Sequence, residues 1–165
     1  MTNLPEDVVW NVMLNIENGI IGVSTGLMAY THYQGNYYIG SYEEINSKLP
    51  DLVEVILAFG LLNNLTEHKS FITYHYGVAG HLTVDSMLRK NSGSFKIEYI
   101  KRPNTNKLDF IHSIQSDLQS GKWHFLKNNK SLGNIINQLT NYPHVENDKT
   151  AMSLALIHEF VSNHQ

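Results

Sequence analysis

The chain has 165 residues and a mass of 18.8 kDa, which is the size of one ordinary domain. With 42% hydrophobic and 16% charged residues it can bury a core, and it lacks the composition of a disordered segment. The formal net charge of -3 excludes a strongly basic overall field. The absence of cysteine excludes disulfides, thiolate nucleophiles and cysteine-ligated metals.

The beginning of the chain carries no targeting signal. Residues 1–7 are polar and acidic, without the positive charge and apolar core of a secretory signal. The longest apolar stretch, at residues 52–62, is too short to span a bilayer. We therefore expect a protein of a reducing, cytoplasmic compartment that does not enter a membrane.

The N-terminal part predicts a helix followed by three strands. Residues 6–16 carry apolar side chains at helical spacing, so we expect a helical lead over residues 1–18 and one domain over residues 19–165. Short apolar and aromatic runs predict strands at residues 20–24, 27–33 and 36–40. Thr25-Gly26 and Gln34-Gly35 are expected to form the turns between them, which gives an antiparallel meander.

The remaining chain alternates helices and strands. Apolar periodicity predicts helices at residues 51–62, 82–88, 108–118, 132–139 and 151–161. Strands are expected at residues 70–75 and 95–100, a short extended piece at 123–125, and a helix stop at Gly121. The predicted fold class is α/β. We expect a mixed sheet in which parallel strands continue the antiparallel three-strand meander, with helices on both faces. This order of strands and helices is typical of a ribonuclease-H-like fold.

Three positions at strand and helix ends are candidates for a functional site, because ligands of α/β sheets collect at the carboxyl ends of strands. Ser24 follows the first predicted strand, His75 follows the fourth, and Asp148 precedes the last helix. A two-metal hydrolase needs several carboxylates at such points, and of these three residues only Asp148 supplies one. The other interpretation of Asp148 is the N-cap of the last helix, which the strong preference of Asp for that position favours, and both roles are compatible.

Several motifs, taken in order, resemble those of phage large terminase subunits. Residues 142–155 are similar to the C-terminal signature of that family, an aromatic-Pro pair followed by an Asp-Asp pair and a helix reading Asp-Ala-Leu-Ala. Residues 21–26 resemble its first strand, where Gly-Val-Asp-Pro is usual. Residues 80–88 resemble a glycine-containing helix start, and residues 106–125 a lysine-containing helix with its following strand.

The resemblance covers about residues 19–160 and implies a ribonuclease-H-like nuclease domain that cuts viral DNA during packaging. It implies Mg²⁺ or Mn²⁺ as cofactor and double-stranded DNA as substrate. The implied protein partners are the small terminase subunit and the portal, in the cytoplasm of a bacterial host cell. No Gly-x-x-x-x-Gly-Lys-Ser/Thr sequence is present, so the chain lacks the motor's ATPase motif.

The chain departs from the family pattern at the catalytic acids. Ser24 and His75 fall at the positions of two acids, Asp148 is kept, and the acid next to it is replaced by Lys149. The resemblance therefore implies cleavage that is lost or residual, with Asp148 as the surviving catalytic acid and metal ligand and His75 as a substitute ligand. His75, His144 and Asp148 also allow a transition-metal site. The other interpretation of the two histidines is ordinary hydrogen-bonded or exposed side chains.

A second set of residues predicts contact with DNA. The densest basic concentration in the chain supplies five candidate phosphate contacts, Arg89, Lys90, Lys101, Arg102 and Lys107. A solvated sheet edge is the alternative interpretation of these charges. The alternative function is a non-catalytic docking module, with the tyrosines of the meander as its interface with a protein or DNA partner.

Overall fold

The computed structural model describes residues 4–5, 8–18, 23–48, 51–62, 70–74, 96–100, 106–126, 132–141 and 149–163. These residues form six strands and five helices. The strands are β1 (Asn11–Asn18), β2 (Val23–Tyr33), β3 (Asn36–Ser47), β4 (Ser70–Tyr74), β5 (Lys96–Ile100) and β6 (Trp123–Phe125). The helices are α1 (Leu52–Leu62), α2 (Lys107–His112), α3 (Gln115–Gln119), α4 (Leu132–Asn141) and α5 (Lys149–Asn163).

The six strands form one mixed sheet with the order β5-β4-β1-β2-β3-β6. Strands β1, β2 and β3 are antiparallel neighbours, and β4 and β5 continue the sheet in parallel beyond β1. At the other edge β6 pairs in parallel with β3. The predicted α/β class, an antiparallel meander continued by parallel strands, is therefore confirmed.

The predicted helical lead is wrong over residues 11–18, because these residues are β1, which lies between β2 and β4. Val12, Met13, Leu14 and Ile16 are all fully buried. A strand covered on both faces has a nearly continuous apolar run, and such a run also matches helical spacing. The meander consequently begins at β1, inside the segment that the sequence assigned to a helix.

This change also moves the strand boundaries. Thr25 and Gly26 lie within β2 rather than in a turn, and β3 continues to Ser47. The turn at Gln34-Gly35 is confirmed: both residues have positive φ, 49° and 78°, as a two-residue hairpin turn requires. Strands β2 and β3 are long, and they stay paired from this turn to their other ends, where Val23 pairs with Ser47.

The later elements follow the predictions with one break. Residues 108–118 form two short helices, α2 and α3, separated at Ser113 and Ile114. Gly121 follows α3 with a φ of 76°, which confirms it as the stop. Strands β4, β5 and β6 and helices α1, α4 and α5 are confirmed. The helix expected at residues 82–88 lies outside the described residues.

Helix α5 is the main cover of the described sheet, with contacts to β1, β2, α2 and α4. Its first nine residues, 149–157, are all buried. Ala151, Leu154 and Ala155 belong to the core cluster that also holds Met13 and Met28 of the sheet. Because residues 149–157 are buried on every face of the helix, the beginning of α5 is held against the sheet. Lys149 consequently lies over β2.

Candidate functional site

One row of residues crosses the sheet near the carboxyl ends of β1 and β4. Asn15 of β1 is paired with Tyr74 of β4 on one side and with Gly26 of β2 on the other, and Gly26 is paired with Glu44 of β3. Asn15 is buried, and its Nδ2 has no hydrogen-bond partner within the described part of the chain. This row lies at the edge of the sheet where α/β proteins place their ligands.

Lys149, the first residue of α5, lies across Gly26. Its Cγ and Cδ are each 3.0 Å from the position that a β-carbon on Gly26 would take. The lysine is buried, with only 4% of its surface exposed. A buried lysine is unusual, and here the missing side chain at residue 26 provides the space for its methylene groups.

A hydrogen-bonded chain joins β3 to the helices beside this lysine. The Tyr42 hydroxyl donates to Glu44 Oε1 at 2.5 Å, and Gln138 Nε2 donates to the same oxygen at 3.1 Å. The backbone N–H of Thr150 donates to Gln138 Oε1 at 2.9 Å. The chain therefore links the Glu44 carboxylate to the first turn of α5, where an N–H lacks an intrahelical acceptor.

These side chains make up one group, which we call the Lys149 cluster: Asn15, Tyr42, Glu44, Gln138, Lys149 and Thr150. Tyr42 Oη is 3.4 Å from the same β-carbon position on Gly26, so the lysine stem and the tyrosine hydroxyl meet above that glycine. The cluster contains one carboxylate, one ammonium, two neutral amides and two hydroxyl groups. No set of three metal-ligating side chains (His, Cys, Asp or Glu) occurs among the residues with described placement.

Ser24 lies in β2 and not after the first strand, because the first strand is β1. It is paired with Glu17 of β1 and Asn46 of β3, two residues before Gly26. The expectation that Ser24 ends the first strand of the sheet is therefore wrong, and its assignment as a site residue stays a prediction. Among the β1 residues whose side chains the structure describes, Asn15 is the buried polar one.

The other predicted catalytic and metal-binding residues, His75 and Asp148, lie outside the described residues, as does His144. His75 directly follows the last residue of β4 in the sequence, and Asp148 directly precedes Lys149. Arg89, Lys90, Lys101 and Arg102 are also outside the described ranges, and Lys107 is the first residue of α2. Their proposed roles therefore stay predictions.

Sequence reasoning missed Asn15 and Glu44. Asn15 lay in the segment interpreted as a helix, and Glu44 lay beyond the predicted end of the third strand. A polar residue inside the apolar run of residues 12–16 was the available signal, because a buried strand rarely carries an amide without a reason.

Apart from the Lys149 cluster, a group of stacked aromatic side chains joins the edge strand β6 to β3. The rings of Tyr37 and Trp123 stack with centroids 4.2 Å apart at 8°, and those of Tyr38 and His124 stack at 4.8 Å. Burial raises the pKa of Tyr37, the Asp117 carboxylate raises it further, and a hydrogen bond with Ser162 lowers it. The tyrosines of the meander that pair in this way are packed within the fold.

His32 lies on the other side of Tyr37, with its ring centroid 4.7 Å from that of the tyrosine. Burial lowers the pKa of His32 below its ordinary value of 6.5. It lines a cavity of about 360 Å³ together with Val8, Asn11 and Phe160. Asn11 begins β1 and His32 is near the end of β2, so this cavity lies at the ends of the strands opposite to those that hold the Lys149 cluster.

Comparison with known proteins finds similarity at the level of structure alone. No protein family and no curated protein matches the sequence. The human cytomegalovirus terminase nuclease domain is 12% identical over 96% of this chain and 86% of that chain, with a TM-score of 0.65. The large terminase nuclease of the thermophilic phage G20c, with bound magnesium, is 16% identical over 94% of this chain and 82% of that chain, with a TM-score of 0.61.

The large terminase of the thermophilic phage D6E is 14% identical over 97% of this chain, with a TM-score of 0.62, and the chain spans 40% of its length. The chain therefore has the ribonuclease-H-like fold of terminase large-subunit nuclease domains, the class that the motifs resembled. At these identities the likeness establishes the fold. None of the helices that the structure describes is long and apolar enough to cross a membrane.

Proposed function

We propose that this chain is a terminase nuclease-like domain associated with viral DNA packaging, in which metal-dependent cleavage is lost or residual. The association is supported by the shared fold with the terminase nucleases of human cytomegalovirus and phage G20c and with the large terminase of phage D6E. The loss of cleavage is supported by one observation, the buried Lys149 lying across Gly26 beside Asn15. A two-metal nuclease needs several carboxylates at the carboxyl ends of its strands, and the described residues of this row contribute a lysine and an amide beside the carboxylate of Glu44.

The described residues do not fit a pair of divalent metal ions. One related structure holds magnesium and another was soaked with manganese, and such hard cations prefer several carboxylate oxygens. Asn15 carries no charge, so it could offer a cation only its neutral Oδ1 and not a carboxylate. Lys149, whose stem lies over the neighbouring Gly26, brings a positive charge to this row instead of a ligand. We therefore derive no catalytic step through a metal ion.

Asp148 and His75 are the residues on which residual cleavage would depend. Asp148 is the acid of the family pattern that this chain keeps, and His75, which follows Tyr74 in the sequence, is the substitute ligand. In this proposal Mg²⁺ or Mn²⁺ is needed only if the site retains activity. One carboxylate holds magnesium weakly, because magnesium keeps its water shell unless several ligands replace it.

DNA binding is the second part of the proposal. Arg89, Lys90, Lys101, Arg102 and Lys107 would contact the phosphate backbone of double-stranded DNA, independently of base sequence. The domain would work with the small terminase subunit and the portal in the cytoplasm of a bacterial host cell, which agrees with the phage origin of two of the similar structures.

Plasmid nicking in Mg²⁺ or Mn²⁺ tests the loss of cleavage. We expect the intact chain to nick supercoiled plasmid no faster than Asp148→Ala, with Asp51→Ala as a control because Asp51 is exposed at the start of α1. If the intact chain and Asp51→Ala both cleave the plasmid and Asp148→Ala does not, the site is catalytically active. His75 would then be the next residue to replace.

A salt titration of plasmid binding tests the contact with DNA. We expect the double variant Lys101→Ala/Arg102→Ala to bind more weakly and with a shallower dependence on salt, because two phosphate contacts are removed. Unchanged binding would remove these two residues from the interface. A folded chain that neither cuts nor binds DNA would favour the protein-docking module instead.

A further inference from the structure

We propose that the ammonium group of Lys149 is a built-in cation that takes the place of a divalent metal ion at the carboxyl edge of the sheet. The cluster around it is then held together by the lysine and excludes Mg²⁺ and Mn²⁺. This inference rests on the proposed function and deepens it, because it names the residue that closes the metal site.

The first argument is the position of the lysine. Cγ and Cδ of its stem lie 3.0 Å from the β-carbon position of Gly26, and the pairing partners of Gly26 are Asn15 in β1 and Glu44 in β3. A side chain at residue 26 would occupy the place of Cγ and Cδ of Lys149. The absence of a side chain at Gly26 therefore leaves space for the lysine stem, between the strand positions of an amide and a carboxylate.

The second argument is burial. Lys149 is 4% exposed and Asn15 is 1% exposed, so water screens this part of the cluster little. A buried ammonium is tolerated only where negative or oxygen-bearing groups surround it. Glu44 supplies a carboxylate next to Gly26, and the donors Tyr42 and Gln138 fix the orientation of that carboxylate through its Oε1.

The third argument is the character of the remaining polar atoms. Asn15 Nδ2 is a buried donor without a partner in the described part of the chain. The amide could offer a metal ion only its neutral Oδ1, and an ammonium in a site with a low dielectric constant repels the ion strongly. A divalent ion beside Glu44 would therefore have to overcome the charge of Lys149.

Manganese binding, followed by the electron paramagnetic resonance signal of free Mn²⁺, tests the proposal on the full chain. We compare the intact protein with Lys149→Asp, which replaces the cation by a ligand. We expect weak binding by the intact chain and an affinity higher by about tenfold or more in the variant, since the charge beside the ion changes sign. Adding Glu44→Gln to Lys149→Asp should reverse most of the gain.

A second variant keeps the test decisive if Lys149→Asp does not fold. Lys149→Met keeps an apolar stem over Gly26 and removes only the charge, so it should also bind Mn²⁺ more tightly than the intact chain. The control is Lys122→Met: Lys122 is an exposed lysine whose Nζ is 3.3 Å from Asp117, and its loss should not increase binding at the cluster. Binding by the intact chain equal to that of both Lys149 variants would overturn the proposal, as would a gain that survives Glu44→Gln.

The result is separable from the plasmid test. An intact chain that neither cuts DNA nor binds manganese, with variants that bind no better, would contradict the role of Lys149 and leave the loss of cleavage standing. An intact chain that cuts DNA with metal contradicts the proposed loss of activity directly.

Discussion

Lys149 and Gly26 fit each other: Cγ and Cδ of the lysine are 3.0 Å from the point where a β-carbon on the glycine would stand. This contact joins the first residue of α5 to the middle of the antiparallel meander. It fixes where the helix begins relative to the row that holds Asn15 and Glu44. A change at either residue should therefore be felt at the other.

Gly26→Ala is expected to lower the free energy of unfolding by about 1–3 kcal/mol, because the methyl group would press on the buried lysine stem. In a Lys149→Ala background the cost should fall, and this coupling identifies the contact. Urea unfolding of the four proteins of this cycle measures both quantities.

Gly133→Ala is the matched control for that substitution. Gly133 lies exposed in α4, and apart from its own helix no atom of the described residues is within 4 Å of its β-carbon position, so alanine should stabilise the protein by up to about 1 kcal/mol. Equal losses at both glycines, or full additivity with Lys149→Ala, would contradict the contact.

Gln138→Ala should destabilise the protein by about 1–3 kcal/mol, because it leaves the N–H of Thr150 and the Oε1 of Glu44 each without one partner. Asn141→Ala on the same helix removes only exposed hydrogen bonds to Asn137, and its effect should stay within about 0.5 kcal/mol. Chemical denaturation compares the two. Similar losses would mean that the link between β3 and α5 contributes nothing.

Trp123→Ala is expected to cost about 3–5 kcal/mol, since the indole is buried and stacked on Tyr37. His124→Ala removes a half-buried ring stacked on Tyr38 and a contact of 3.2 Å with Asn36, so about 1 kcal/mol should be lost. Unfolding followed by circular dichroism avoids the loss of tryptophan fluorescence. A smaller effect at Trp123 than at His124 would show that the edge strand is not anchored by the indole.

His32 should make the protein less stable in acid. Burial lowers the pKa of His32 in the native state. Below the pKa of the unfolded chain, about 6.5, the unfolded chain therefore binds a proton that the native chain does not bind. The stability is fully present above that pH, falls as the pH falls, and levels off below the native pKa. His32→Gln should remove this part of the slope.

Thermal unfolding between about pH 8 and pH 5 measures the slope for the intact chain, His32→Gln and the control His112→Gln. His112 is an exposed residue at the end of α2, so its replacement should leave the slope contributed by His32 in place. Identical profiles for the intact chain and His32→Gln would show that His32 is not responsible.

The sequence by itself determined the mixed α/β sheet, the hairpin turn at Gln34-Gly35 and most later helices and strands. These features depend on local chemistry: apolar periodicity, positive φ at a turn and glycine after a helix. The motif order also led to the fold of terminase nuclease domains, and the similar structures confirm that fold.

Only the tertiary structure decided that residues 11–18 are a strand between two others and that Asn15, Gly26 and Glu44 form one row. An apolar run buried on both faces satisfies helix and strand spacing alike, so its partners select between them. Strand register brings residues distant in sequence into contact, and the covering helix determines which of them is buried. Lys149 is a charged residue in the sequence, and its burial over a glycine follows from the packing of α5 on the sheet.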